Sequence, residues 1–232
     1  MALRRQTGAR TPGRRRPRAT LAETRKRDIV EHAVRLMEEK GFAAVSVQHL
    51  ADALEFSKAN FYHHVESKEE LLYEIFADTL QYASERIEAI LNSDVSIPDK
   101  LRALIEFYVS LMTDRRAVML VWFKERAHLN KAHQAVITQL ERRVTTLLEK
   151  LYASGIAEGF FKPMDTTIVR LAVFGMCFHL TKMPKTPNRA YVTTITRQLQ
   201  ELVTTGLLTP SAASEDARRA SMLQTPAPAT AK

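Results

Sequence analysis

The segment LADALEFSKANFYHHVESKEELL, residues 50–72, contains the end of one predicted helix, a second short helix and the start of a third. Ser57 and Ser67 are each suited to cap a helix that begins directly after them. Ala51 is small at a point where two helices must approach closely, and Glu55 and Phe56 form the turn. Helices of about eight residues are not stable alone in water. Two such helices that are joined by tight links to each other and to a longer helix before them predict a helix-turn-helix unit, with helices at about 20–40, 46–54 and 58–64.

Helical patterns also fill the rest of the chain. No proline occurs between Pro17 and Pro98, and Gly41 is the only glycine in that interval. Apolar residues recur at helical spacing up to Gly206, and no segment has the period of a strand. We expect an all-α fold of about nine helices, divided into a disordered basic tail (1–19), a helix-turn-helix domain (20–66), a second helical domain (67–208) and a disordered C-terminal tail (209–232).

The positive charge is concentrated at the N-terminus. The net charge is +8, and the first twenty residues hold seven arginines and no acidic residue. The remainder has 27 basic and 26 acidic residues. Such a tail suits a polyanion such as nucleic acid; the alternative is a merely solubilising extension.

Cysteine content and hydropathy limit the function classes. A single cysteine, Cys177, excludes an internal disulfide and a multi-cysteine zinc site. His63 and His64 are adjacent, so on a helix they point about 100° apart and are poor joint metal ligands. The N-terminus lacks the apolar segment of a signal peptide, and the longest apolar run, 171–178, is too short to cross a bilayer. We expect a cytoplasmic protein without metal or cofactor.

The exposed side of the third helix carries residues that can contact DNA phosphates or base edges. Of the two histidines on this helix, His63 is the better candidate to face DNA. For His64, the alternative to DNA contact is that the side chain packs between the third and fourth helices. On this helix, at its cap and at the start of the helix before it, the candidate DNA-binding residues are Ser46, Gln48, Ser57, Lys58, Ala59, Asn60, Tyr62 and His63.

These motifs resemble the TetR family of bacterial transcriptional repressors. The resemblance rests on TRKRDIVEHAVRLMEEKGFAAVSVQHLADAL and SKANFYHHVESKEELL, which cover about 50 of the 232 residues. It implies that Tyr62 and Lys68 contact the DNA backbone. Glu55 departs from the family pattern, which has glycine in the turn. A left-handed backbone there would cost a glutamate roughly 1 kcal/mol.

The second domain is expected to bind a hydrophobic effector and to dimerise. LAVFGMCFHL, residues 171–180, resembles a helix of TetR-like repressors that respond to acyl-CoA thioesters, although KMPK replaces the aromatic pair that usually follows. Aromatic and methionine side chains can line an adaptable apolar pocket, while a plain core is the alternative. The candidate ligand-binding residues are Phe107, Tyr108, Met112, Met119, Trp122, Phe123, Arg126, Arg143, Val144, Leu147, Phe174, Cys177 and Phe178.

The resemblance also implies a homodimer formed by the last two helices, which would place two recognition helices in successive major grooves of DNA. The candidate interface residues are Ile168, Leu171, Ala172, Gly175, His179, Ile195, Leu199, Leu202 and Val203.

The favoured hypothesis is a ligand-responsive, DNA-binding transcriptional regulator, a repressor released from a palindromic operator by a hydrophobic small molecule such as an acyl-CoA. One alternative is a nucleoid-type DNA binder without ligand control. A helical enzyme using Cys177 and His179 is the other, but residues at i and i+2 diverge on a helix.

Overall fold

The computed structural model of the protein describes residues 21–183 and 188–224. This part of the chain contains ten α-helices and two short 3₁₀ turns, so the predicted all-α class is confirmed, with one helix more than expected. The predicted arginine-rich tail lies outside the described residues. The helices are α1 (Leu21–Lys40), α2 (Val47–Ala53), α3 (Lys58–His64), α4 (Lys68–Leu91), α5 (Ile97–Asp114), α6 (Arg116–Glu125), α7 (Lys131–Ala157), α8 (Thr166–Phe178), α9 (Arg189–Leu207) and α10 (Pro210–Gln224).

Helices α1 to α3 form the predicted helix-turn-helix unit. The Ser46 hydroxyl accepts a hydrogen bond from the backbone N–H of His49, and the Ser57 hydroxyl accepts one from Asn60, so both serines cap the helices that follow them. Leu50 and Phe61 are fully buried between the three helices. The short helices are therefore held by local caps and by a shared apolar core.

Helix α4 belongs to both halves of the molecule. Its first half contributes Leu72 and Phe76 to the core of the helix-turn-helix unit, and its second half contributes Ile87 to the core of the larger domain. The first core also contains Val121 and Ile137, which come from α6 and α7. The two halves are consequently packed together through α4, α6 and α7.

Helix α5 lies at the centre of the second half and packs against α7, α8 and α9. Ile105 and Met112 on this helix have no exposed surface. The apolar stripe predicted along α5 is thus directed into the second core.

The helical spacing of the sequence predicts a seventh helix over about 130–154 that is stopped by Gly155, and the structure differs from this prediction. Helix α7 does not stop at Gly155 but continues to Ala157, and the left-handed glycine is Gly159, with φ of +77°. Phe161 then packs directly on Gly155 and forms a bridge to Leu208. Gly155 therefore permits a close packing contact rather than ending the helix.

The interval 209–224, predicted to be disordered, contains α10. Ala212 is buried in the second core, and Asp216 forms an ion pair with Arg102 of α5. The tail prediction is corrected for these residues, while residues 225–232 lie outside the described range.

None of the described helices is long and apolar enough to span a membrane.

Candidate DNA-binding surface and effector cavity

The outer face of α3 presents polar and aromatic side chains to solvent. Lys58, Ala59 and His63 are exposed, and the side chain of Tyr62 is 47% exposed. Phe61 points the opposite way, into the core, and Asn60 is half-buried. This alternation gives α3 a free surface that carries a phenol, an ammonium and an imidazole.

The candidates on α2 are engaged in local hydrogen bonds. The backbone N–H of Ser46 donates to Nδ1 of His49 at 3.3 Å, completing a capping box with the hydroxyl contact described above. The Gln48 amide donates to the Asp52 carboxylate at 2.6 Å. All four side chains are exposed, so these bonds can exchange for contacts with another molecule.

The turn between α2 and α3 adopts the left-handed conformation that favours glycine. Glu55 has φ of +56° and is the sole non-glycine residue with positive φ in the described ranges. A Cβ atom in this region clashes with the neighbouring carbonyl oxygen, so the turn is strained. The cost of roughly 1 kcal/mol predicted for a left-handed backbone at Glu55 therefore applies.

Lys68 is turned toward the protein rather than toward solvent. Its ammonium donates to the carbonyl oxygens of Phe42 at 2.7 Å and of Val45 at 2.6 Å, and lies 4.1 Å from the centre of the Phe42 ring. Burial lowers the pKa of Lys68, and the nearby Glu125 carboxylate opposes that effect. Sequence reasoning placed Lys68 on DNA, whereas its contacts here hold the loop between α1 and α2.

The same loop contacts the second half of the molecule. The ring of Phe42 stacks on the imidazole of His128 with centres 4.8 Å apart, and His128 lies 3.4 Å from the Glu125 carboxylate. Glu125 is only 7% exposed. The end of α6 and the turn after it therefore support the helix-turn-helix unit directly.

His64, for which packing was the alternative to DNA contact, is half-buried. Its ring lies 6.1 Å from that of Phe56, and its Nε2 atom is buried without a hydrogen-bond partner among the described residues. The packing interpretation therefore describes this side chain, while His63 remains exposed.

A small apolar cavity of about 40 Å³ lies between α5, α7 and α8. Arg170 is a half-buried cation in its wall, near the phenol of Tyr108. The cavity is lined by Leu101, Leu104, Tyr108, Leu148, Glu149, Leu151, Tyr152, Phe161, Thr166, Val169, Arg170 and Val173.

Of the thirteen candidate ligand-binding residues, Tyr108 alone lines this cavity. Phe107, Met112, Met119, Leu147 and Cys177 are buried core residues, and Val144 packs against them. Sequence reasoning missed most of the lining because α7 and α8 contribute it through residues that carry no signal beyond ordinary helical spacing.

The remaining candidates lie elsewhere. Trp122 packs on Phe76 in the first core, with ring centres 4.8 Å apart. Arg126 and Arg143 pair with Glu141 at 2.6 Å and Glu88 at 3.2 Å.

Phe123, Phe174 and Phe178 form an aromatic cluster between α6 and α8. The centres of the Phe123 and Phe178 rings are 3.8 Å apart, and Phe123 is 51% exposed. None of these three residues lines the cavity described above.

The predicted interface positions on α8 and α9 are mostly exposed apolar residues. Ile168, Leu171 and Leu202 are 57–61% exposed, which is unusual for side chains of this size. Ala172, Gly175 and His179 are also exposed, and Ile195 and Leu199 are half-buried. Val203 differs, because it is buried in the core of its own subunit and is not available to a partner.

The geometry does not support the nucleophile that the enzyme hypothesis requires. Burial raises the pKa of the Cys177 thiol to about 12, so the thiolate is scarce at neutral pH. His179 is exposed, whereas the sulfur of Cys177 is buried. A reactive cysteine would need the opposite environment.

Comparisons with known proteins agree with this architecture. Residues 29–75 match the family described as bacterial regulatory proteins, tetR family, and residues 94–182 match the tetracyclin repressor-like C-terminal domain. The transcriptional repressor KstR2 of Mycolicibacterium smegmatis is 24% identical over 148 residues, covering 63% of this chain and 72% of its own. The uncharacterized regulator YhgD of Bacillus subtilis is 29% identical over 158 residues, covering 65% and 80%.

Solved structures have the same fold. KstR2 of Mycobacterium tuberculosis superposes with a TM-score of 0.73 at 20% identity, covering 80% of this chain and 95% of that one. AibR, solved in complex with isovaleryl coenzyme A and operator DNA, has a TM-score of 0.67 at 26% identity, covering 77% and 97%. With the helix-turn-helix unit, the second helical domain and both domain matches in place, the chain belongs to the TetR family of helix-turn-helix transcriptional regulators.

Proposed function

We propose that this protein is a homodimeric repressor that binds a palindromic operator and is released from it by an acyl-CoA thioester. The observation that carries the proposal is the free face of α3, where Lys58, Tyr62 and His63 are exposed beside a buried Phe61. Such a face suits insertion into a major groove, with Tyr62 and Lys58 on phosphates. The repressors named KstR2 support the assignment to repression.

A dimer is favoured by the exposed apolar residues on α8 and α9. Ile168, Leu171 and Leu202 would bury this surface against the same residues of a second subunit, as a two-fold interface requires. Two α3 helices placed roughly 34–36 Å apart would then reach successive major grooves. Monomeric protein would lose this spacing.

The effector class is supported by the cavity and by its cation. The walls are mainly apolar, and Glu149 and Arg170 are the charged residues among them. Arg170 could pair with an anionic group while an acyl chain enters beside Leu104 and Val173. The AibR structure holds isovaleryl coenzyme A, which is an effector of this chemical type. An amphipathic anion satisfies both features.

The size of the cavity supplies a reason for release. Its volume of about 40 Å³ is far below the roughly 300–1,000 Å³ of typical ligand sites. An acyl chain must therefore separate α7 and α8 from α5 before it fits. Helix α7 packs along α4, which leads into the helix-turn-helix unit. An effector that binds the separated arrangement better therefore shifts the population away from the arrangement that binds DNA.

The test is to select binding sequences from a random duplex pool with full-length protein and to titrate the selected site. Short- and long-chain acyl-CoAs, coenzyme A alone, free fatty acids and planar cations are then added to the complex. Release by acyl-CoAs, weakened in Arg170→Gln but not in the exposed control Arg86→Gln, supports the proposal. Release by cations without any response to acyl-CoAs contradicts it, and binding without sequence preference favours the nucleoid-type alternative.

The dimer is tested by Leu202→Glu, which places a charge on the exposed face of α9. Analytical ultracentrifugation should give a monomer, and operator affinity should fall while the helical content is kept. A variant that stays dimeric would place the interface elsewhere.

A further inference from the structure

A histidine joins α7 to the first turn of α4. Nδ1 of His133 lies 2.7 Å from Oε1 of Glu69, and its Nε2 lies 3.4 Å from Oε2 of Glu70. A neutral imidazole has a single N–H, which can donate to Glu69, and a protonated ring also carries an N–H and a charge toward Glu70. Protonation would therefore add an ion-pair attraction to Glu70, which lies within ion-pair distance.

The ring of Tyr73 supports the same protonation state. It stacks on the imidazole with centres 4.0 Å apart and an angle of 9° between the planes. The face of an aromatic ring attracts a cation. Glu69, Glu70 and Tyr73 all lie on α4, so three groups of one helix surround a single side chain of another.

Asn130 adds a second link at the same point. Asn130 caps α7, and its side-chain oxygen accepts from the backbone N–H of His133 at 2.9 Å. The backbone N–H of Asn130 donates to Oε1 of Glu69 at 3.2 Å, and its amide donates to Oε2 at 2.9 Å. A carboxylate from α4 thus caps the positive end of α7, where an anion is stabilising.

The charge on Glu69 is maintained at this position. Burial alone would raise the pKa of Glu69, but the hydrogen bonds from His133 and Asn130 outweigh burial and lower it. Glu69 therefore stays ionised well below neutral pH. Between about pH 6 and 8, the group at this junction whose kind ordinarily changes charge is the histidine.

The groups that face His133 are Glu69, Glu70 and Tyr73 from α4, together with Asn130 on its own helix. His128, the other histidine of the α6–α7 connection, contacts Phe42 and Glu125 instead. A test must therefore distinguish the effect of protonating His133 from that of protonating His128.

We propose that His133 is a positioning residue for DNA binding, whose protonated side chain fastens α7 to α4 and so makes effector release depend on pH. The proposal rests on the proposed function. Helix α4 begins at Lys68, four residues after α3 ends at His64, so fixing its first turn fixes the recognition helix.

The direction of the pH effect on effector release depends on which arrangement of the protein has the contacts of His133 with Glu69 and Glu70. The arrangement in which the cavity is too small for an acyl chain has both carboxylate contacts, so protonation favours the arrangement that we assign to DNA binding. Acidification from about pH 8 to 6 should therefore strengthen the link and raise the effector concentration needed for release. At the higher pH a neutral His133 keeps a single carboxylate partner.

The experiment compares full-length wild type with His133→Gln, Glu70→Gln and the control His32→Gln. His32 donates a hydrogen bond to the carbonyl oxygen of Asp28 in its own helix and is not one of the groups that face His133, so its loss should not affect the junction. The readout is the concentration of a releasing acyl-CoA that dissociates half of the operator complex at pH 6 and at pH 8. We expect the ratio of the two values to fall by on the order of threefold in His133→Gln and to be unchanged in His32→Gln.

A second readout does not depend on DNA or effector. Proton NMR of the His133 ring follows its titration in wild type and in Glu70→Gln, which keeps the histidine. A lower titration midpoint in Glu70→Gln supports the link, and an unchanged midpoint overturns it. Retention of the wild-type pH ratio by His133→Gln also overturns the positioning role. Failure to find any operator or releasing acyl-CoA would instead contradict the proposed function, with the NMR result still deciding the link.

Discussion

The ammonium of Lys68 donates a hydrogen bond to the carbonyl oxygen of Val45 at 2.6 Å, across the start of α4 and the end of the loop that precedes α2. A second bond to Phe42 and the ring of that residue surround the same charge. The lysine of the SKEE motif therefore acts first on the shape of the helix-turn-helix unit. DNA contact through Lys68 would require it to leave these partners.

Replacing Lys68 by methionine should destabilise the protein by about 1.5–3 kcal/mol, because two charge-assisted hydrogen bonds to backbone carbonyls are lost. Urea unfolding measures the loss. The matched control is Lys26→Met, which removes an exposed ion pair to Glu74 and should cost less than about 1 kcal/mol. Unchanged stability, together with a DNA-binding salt dependence that is reduced by one phosphate contact, would assign Lys68 to DNA instead.

Glu55→Gly should stabilise the protein by about 0.5–1 kcal/mol. Glycine accepts φ of +56° without the steric cost that a side chain incurs, although it also increases the entropy of the unfolded chain. Thermal unfolding of the variant beside Glu66→Gly makes the comparison. Glu66 is exposed and lacks a positive φ, so its replacement should be destabilising. Similar losses in both variants would show that the turn is not strained.

The helix-turn-helix unit could be predicted because its signals are local. Ser46 and Ser57 cap helices within three residues of themselves, and the apolar spacing of α1 to α3 fixes which faces are buried. The strain at Glu55 could be predicted only on the condition that its backbone is left-handed, and the φ angle of the structure meets that condition.

The features that the sequence did not reveal depend on contacts between distant residues. Trp122 packs on Phe76 rather than on the cavity, and Arg102 pairs with Asp216 in a helix that was expected to be disordered. Composition made residues 209–224 resemble a tail, because α10 is polar and its contacts, namely the burial of Ala212 in the second core and the ion pair of Asp216 with Arg102, involve residues distant in sequence. The spacing of apolar residues along α7 and α8 shows which faces are buried, but it does not show which of those residues line the apolar cavity.

Tyr62→Phe should leave folding intact and weaken binding to operator and to unrelated duplex alike by about 1 kcal/mol, as expected for a phenol that positions the protein on a phosphate. The side chain is 47% exposed and meets the edge of Phe61, which phenylalanine can reproduce. Anisotropy titrations with both duplexes provide the measurement. A selective loss of operator binding would mean that Tyr62 reads a base.

Cys177 should react slowly with a disulfide reagent in the native protein up to about pH 9 and rapidly once the protein is unfolded in urea. The thiol is 1% exposed, and burial raises its pKa to about 12. A raised pKa in the folded state means that the contribution of the thiol to stability is complete below about pH 8.5 and declines as the pH rises toward the folded value. Rapid native reaction at pH 7 would show an accessible thiolate and revive the nucleophile hypothesis.

Gly155→Ala tests the close contact between α7 and Phe161 in the chain that follows it. A Cβ atom at this position would overlap the ring of Phe161, which is 2% exposed and lines the apolar cavity. The ring cannot move easily, because the backbone N–H of Phe161 is bonded to the carbonyl of Gly155 at 2.9 Å and Leu208 is paired with it. We expect a loss of about 1–3 kcal/mol in urea unfolding.

The control for that loss is Gly206→Ala, at a helical position where an added Cβ meets nothing within 4 Å. Alanine there should be stabilising by about 0.5–1 kcal/mol, because it favours the helix without crowding. If overlap with Phe161 causes the defect at Gly155, combining Gly155→Ala with Phe161→Ala should cost clearly less than the sum of the two single changes. Additive losses would show that the alanine acts through the backbone of α7 and that the ring of Phe161 plays no part.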